Sequence, residues 1–162
     1  MENEPLDIGQ LKDASLDESA QVAMASLEKR LRRVAMVFYV IAGLTFASFL
    51  LSSLHLVSLF HSGLQRVLYT PLRLIFQNWA LGSVFSYGFL IVLFIFLGVK
   101  LWQKKTWALS AGVVVYAADM LPLAFVTHEW VDVIIHGFFL ILLVRGMAVV
   151  REMKLLAGPR GI

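Results

Sequence analysis

Asp119 and His136 are the residues of this chain that packing alone explains least. Asp119 interrupts the apolar run VVVYAADMLPLAF (113–125), three residues after Tyr116 and three before Pro122, and His136 follows in WVDVIIHGFF (130–139). A carboxylate and an imidazole held in hydrocarbon have three chemistries open to them. They form a satisfied hydrogen-bonded pair, exchange a proton, or share a metal ion.

The neighbouring residues supply material for each. His128, Asp132 and His136 recur at i, i+4 and i+8, with Glu129 seven residues before His136, which puts a polar stripe on one helical face. Tyr116 lies one turn before Asp119, and Tyr87, Ser83 and Ser86 sit at matching depth on another apolar segment. In the first reading His136 donates to Asp119 while Tyr116 and Tyr87 complete an interhelical network that fixes register. In the second, His136, Asp132 and Asp119, with His128 or Glu129, offer the mixed nitrogen and oxygen ligands that suit zinc or manganese. In the third, Asp119 exchanges protons beside a helix loosened at Pro122. The structural network is the reading adopted, with no cofactor.

These groups need elements to position them. The 162 residues are 59% hydrophobic and 15% charged, with a mean hydropathy of +0.79, more apolar surface than one soluble core of this size can hide. Residues 34–65 and 74–99 contain no Asp, Glu, Lys or Arg, and each run exceeds the roughly 20 residues that cross a bilayer. Residues 106–126 and 130–150 have the length of a span as well, and backbone in lipid must be helical to satisfy its own hydrogen bonds. The expected fold is an all-α integral membrane protein, an antiparallel four-helix bundle with spans at about 34–57, 80–100, 106–126 and 130–150. Trp79, Trp102, Trp107 and Trp130 all fall at the ends of these spans, where an amphipathic ring is stable at headgroup level.

The short turn VTHEW makes the last two spans neighbours, and Asp119 and His136 each lie about 10 Å in from that turn. The pair is therefore expected to meet.

The pI near 9.4 does not mark a nucleic-acid protein, because the basic residues sort by loop rather than along a groove. Lys29, Arg30, Arg32 and Arg33 precede the first span, Lys100, Lys104 and Lys105 join the second to the third, and Arg145, Arg151, Lys154 and Arg160 close the fourth. The other side carries only Arg66 and Arg73, so both termini are expected in the cytoplasm of a bacterial cell, with the protein in the inner membrane. No cleavable signal peptide is expected, and the first span serves as the anchor. The chain has no cysteine, which excludes disulfides and thiolate chemistry.

Outside the spans, residues 1–14 are expected as a disordered tail and 151–162 as a cytoplasmic tail. Between them, Ser15-Leu-Asp-Glu18 has the capping-box pattern and opens an amphipathic cytoplasmic helix over 15–33. That helix either lies on the inner surface or runs straight into the first span, with Lys29, Arg30, Arg32 and Arg33 against anionic headgroups as a topology anchor. Residues 64–69 are expected as a short interfacial helix broken at Pro71. Arg145 falls on the opposite azimuth to His136 and snorkels to the headgroups, and Gly146 beside it permits close helix approach.

Gly112, Tyr116 and Asp119, followed by His136 and Arg145-Gly146, resemble a pattern in small multi-span bacterial membrane proteins of uncharacterised function, over residues 108–146. The resemblance implies that Asp119 and His136 belong together. No nucleophile, phosphate-binding loop or cofactor fingerprint points to an enzyme. The expected function is that of a noncatalytic interaction or accessory subunit, partnered by the lipid bilayer and by a second copy or another membrane protein. The alternative is a proton-coupled transporter or metal-binding membrane protein built on the Asp119 and His136 layer.

Overall fold

The computed structural model describes residues 8–54, 63–76, 79–127 and 130–157. His128 and Glu129 of the expected metal set lie outside them, as do residues 1–7 and 158–162 of the two expected tails. The described chain is helical throughout apart from turns: α1 (Ile8–Ser53), α2 (Gly63–Phe76), α3 (Trp79–Trp102), α4 (Trp107–Pro122) and α5 (Trp130–Ala157). Four of them, α1, α3, α4 with the turn that extends it, and α5, are long and apolar enough to cross a membrane. Every tryptophan is the first or last residue of a helix.

α1 is continuous through the expected boundary at residue 33 and starts at Ile8, so residues 8–14 are helix rather than disordered tail. The reason is local: from Gln10 to Ala42 there is neither Gly nor Pro, and Ala, Leu, Glu, Lys and Arg dominate. Its 46 residues span about 70 Å, more than twice the roughly 30 Å hydrocarbon core of a bilayer. The overhang is not solitary. Leu27 and Leu31 are buried in the same cluster as Met153, because α5 also runs on through residues 151–157, which were expected as tail.

α2 runs through Pro71 to Phe76 instead of breaking there. Pro71 and Val67, whose carbonyl loses its donor, both lie on the exposed face, so the freed carbonyl is not trapped in the core. Pro122 acts differently. It ends α4, and the helix continues as a π-helical turn over Leu123–Thr127.

α1 packs on α3 and α5, α4 packs on the same two, and α2 lies against α3 and α4. Each long helix buries one stripe. On α3 it is Leu90, Phe94, Leu97 and Leu101, and on α4 it is Ala108, Gly112, Tyr116 and Asp119. Aromatic rings cross the core from helix to helix: Phe38 stacks on Phe94 at 6.5 Å, Phe94 meets the Tyr116 ring edge-on at 5.9 Å, and Tyr116 meets Phe139 at 6.5 Å.

Two glycines are required by this packing. A Cβ on Gly112 would lie 2.2 Å from Cζ of Phe38, which has no room to retreat because it is fully buried. A Cβ on Gly146 would lie 2.6 Å from Cγ1 of Val34. The close approach expected at Gly146 is therefore present, between α5 and α1.

The outward faces are apolar too. Val92, Val114, Ile134 and Phe138 are each more than half exposed, and similar residues line the outside of all four long helices. A soluble monomer rarely presents so continuous an apolar surface.

Gln103 to Thr106 connect α3 to α4. Lys105 N–H donates to the Lys100 carbonyl and Lys104 N–H to that of Leu101, the two bonds of a Schellman cap. The left-handed position of that cap is Lys104, at φ 62°, where glycine is usual. Its ammonium reaches Glu28 on the α1 overhang, tying the turn to α1.

Candidate functional site

The π-turn after Pro122 and the start of α5 bring Asp119 and His136 face to face. His136 Nε2 lies 3.0 Å from Asp119 Oδ2, and both side chains are sealed from solvent. The other ring nitrogen, Nδ1, lies 2.8 Å from the backbone carbonyl of Asp132, one turn back along α5. A carbonyl only accepts, so Nδ1 carries a hydrogen and donates it.

That assignment constrains the rest of the pair. With Nδ1–H fixed, the Nε2 to Oδ2 contact takes one further proton. If the proton sits on nitrogen the imidazolium donates to a carboxylate, and if it sits on oxygen the carboxylic acid donates to a neutral imidazole. The two arrangements differ only in the position of that proton, and the pair is neutral overall in both. Neutrality is what permits full burial, since an isolated ion in this position costs several kcal/mol.

Tyr116 contributes a plane rather than a bond. Its ring stacks on the His136 imidazole with centroids 5.1 Å apart and 15° between planes, filling the space beside the pair. Its hydroxyl is buried and has no hydrogen-bond partner among the described residues. The network expected through Tyr116 is corrected accordingly. Tyr87 is buried on α3 and packs on Phe49 of α1 at 5.4 Å, so its ring is directed to α1. Asp132 is buried, and it is its backbone carbonyl that engages His136.

Among the described residues no group of three or more His, Asp or Glu is placed to hold a metal ion. Both nitrogens of His136 are engaged within the protein, and His128 and Glu129 lie outside the described residues.

Each of the four long helices buries polar side chains: Thr45 and Ser48 on α1, Ser86 and Tyr87 on α3, Tyr116 and Asp119 on α4, Asp132 and His136 on α5. Thr45 was not anticipated. Its hydroxyl donates to the Ile41 carbonyl at 2.9 Å, satisfying itself within its own helix, and the signal was its place one turn before Ser48 on the same face. Buried Gln65 of α2 was missed as well, lying in a segment assigned to the surface.

At the opposite end, Arg32 lies over the Trp102 ring at 5.4 Å. Arg30 and Arg33 share a groove with Arg145 instead, whereas Lys29 is exposed and does not line that groove.

The chain matches no family model, no curated protein and no solved structure.

Proposed function

We propose that this chain is a multi-pass inner-membrane protein with four antiparallel spans and cytoplasmic termini, working without catalysis as an interaction or accessory subunit. The observation that carries the reading is the closure of the Asp119–His136 pair. Both ring nitrogens have partners inside the protein and both side chains are sealed, which leaves no open position for a substrate or an ion. A pair of this kind locks α4 against α5 and fixes their register. Among the described residues, the surfaces left for an interaction are the outer faces of the helices.

The apolar exterior of the four long helices supports embedding in a bilayer. Lysines and arginines gather where α3 turns into α4 and where α1 and α5 overhang, which supports a cytoplasmic position for that end.

Proton exchange is the second reading, favoured by the single proton between Nε2 and Oδ2 one turn from the π-turn. Vesicles carrying the reconstituted protein and an internal pH dye separate the two. Wild type and the Asp119→Leu/His136→Leu double variant are expected to leak protons equally. A wild-type flux that Asp119→Asn abolishes would overturn the structural role and establish exchange. The accessory role predicts that a photo-crosslinker at Val92 or Phe138 gives one discrete stoichiometric adduct in native membranes; a smear of minor adducts from every exposed position would count against it.

A further inference from the structure

Between α1 and α5 lies a groove of about 580 Å³, within the roughly 300–1,000 Å³ range of small-molecule sites. Arg30, Arg33 and Arg145 line it together with apolar side chains that include Val34, Val37 and Leu142. We propose that this groove is a binding site for one anionic phospholipid, the three guanidinium groups holding its phosphate and the valine and leucine wall receiving an acyl chain.

Charge is the first argument. Three cations share one groove, and among the described residues none has a carboxylate within ion-pair distance; Glu28 is engaged by Lys104. Glu152 shares the neighbouring cavity with Arg30 without forming an ion pair with it, and the groove itself has no carboxylate among the described residues of its lining, so an anion entering it would offset the repulsion of the three cations. Guanidinium suits phosphate in particular, because its fork donates two parallel hydrogen bonds to two oxygens.

Depth is the second. Gly146, next to Arg145, is packed against Leu109, which is two residues into α4 from Trp107. Arg32, next to Arg33, covers Trp102. The arginines thus stand at the level marked by two tryptophans, the level of lipid headgroups. Toward the apolar segments the groove is lined by Val34 and Val37 of α1 and Leu142 of α5, about one turn of apolar wall, enough to receive the first part of an acyl chain. A free anion would use the arginines and leave that wall uncovered, so a lipid is the occupant that matches both parts. Basic pockets between membrane helices take anionic headgroups by this same logic.

The proposal does not depend on what Asp119 and His136 do. Its test uses the full chain, delipidated in a neutral detergent and titrated with phosphatidylglycerol, phosphatidylcholine or inorganic phosphate, with bound lipid counted by native mass spectrometry. Phosphatidylglycerol is expected to bind at one site and to outcompete phosphatidylcholine. Arg145→Gln should weaken it about tenfold or more, the scale of one charged hydrogen-bonding partner, and Arg145→Lys should weaken it less. Lys29→Gln removes the same charge from an exposed position outside the groove and should change affinity less than about twofold. Arg33→Gln reads the same quantity should Arg145→Gln fail to fold. Equal loss on Lys29→Gln and Arg145→Gln would reduce the effect to general surface charge. Equal affinity for phosphatidylcholine, or full displacement of the lipid by inorganic phosphate at matched concentration, would also overturn the assignment.

Discussion

The two charged regions of this molecule solve opposite problems. Asp119 and His136 are of opposite sign, fully buried, and neutral as a pair. Arg30, Arg33 and Arg145 are of one sign, exposed, and without a carboxylate partner among the described residues. In hydrocarbon nothing outside the protein compensates a charge, so the partner has to be built in. On the membrane reading proposed above, the arginines stand at headgroup depth, where water and lipid phosphate supply compensation and like charges persist. Where the chain carries its own counter-charge and where it leaves the task to the surroundings follows the dielectric.

The sharpest test of that contrast is Asp119→Leu. It leaves the Nε2 side of a buried imidazole unpaired and should cost about 3 kcal/mol in thermal or denaturant unfolding in detergent. Removing both partners with Asp119→Leu/His136→Leu leaves nothing unsatisfied at that contact, so the double variant should lie within about 1 kcal/mol of wild type. A double variant as unstable as the single one would mean that the loss does not come from an imidazole left unpaired, and that the intact pair or its shape contributes net stability.

Gly112→Ala tests the packing that frames the pair. The added methyl meets the immobile Phe38 ring, and overpacking of about 1–3 kcal/mol exceeds the roughly 1 kcal/mol gained in helix propensity. The net loss expected in the same assay is about 1 kcal/mol. Phe38→Leu should partly rescue it by giving the methyl room; no rescue would place the conflict elsewhere.

At the arginine groove, by contrast, Arg145→Gln should leave stability in detergent within about 0.5 kcal/mol, because the side chain is exposed and unpaired among the described residues. A loss comparable to that of Asp119→Leu would erase the distinction between the two regions.

The smallest effect has the opposite sign. Lys104→Gly relieves a left-handed lysine, a strain of about 1 kcal/mol, and gives up an exposed ion pair with Glu28 of no more than about 0.5 kcal/mol. A slight net gain is expected, and Glu28→Gln alone should be nearly silent. A net loss would show that the Lys104 contact to the α1 overhang matters beyond its charge.

Part of this was open to reading from residue types alone. Uncharged runs of span length, tryptophans at their ends and lysines and arginines in alternate loops placed α3 and α4 within a few residues and the apolar parts of α1 and α5, because length and polarity at each position are properties of the sequence. Asp119 facing His136 was legible for a similar reason: a short turn and equal depth leave two polar groups on adjacent helices few other partners. Less was legible where propensity and packing competed. Pro71 reads as a break, and only the exposure of its face allows α2 to continue. Residues 8–14 and 151–157 read as tails; local helix propensity carries the first, whereas the second packs through Met153 in one cluster with Leu27 and Leu31, more than a hundred positions earlier.

The sequence by itself thus determined how many long apolar helices there are, roughly where their apolar segments lie, and that a carboxylate and an imidazole are carried to a common depth. Tertiary structure decided which nitrogen of His136 meets Asp119, that Tyr116 stacks instead of bonding, that Phe38 occupies the space above Gly112, and that Arg145 joins Arg30 and Arg33. The division has a physical cause: periodicity and polarity are set residue by residue along one helix, whereas the rotation and spacing of two helices are set by the side chains of both.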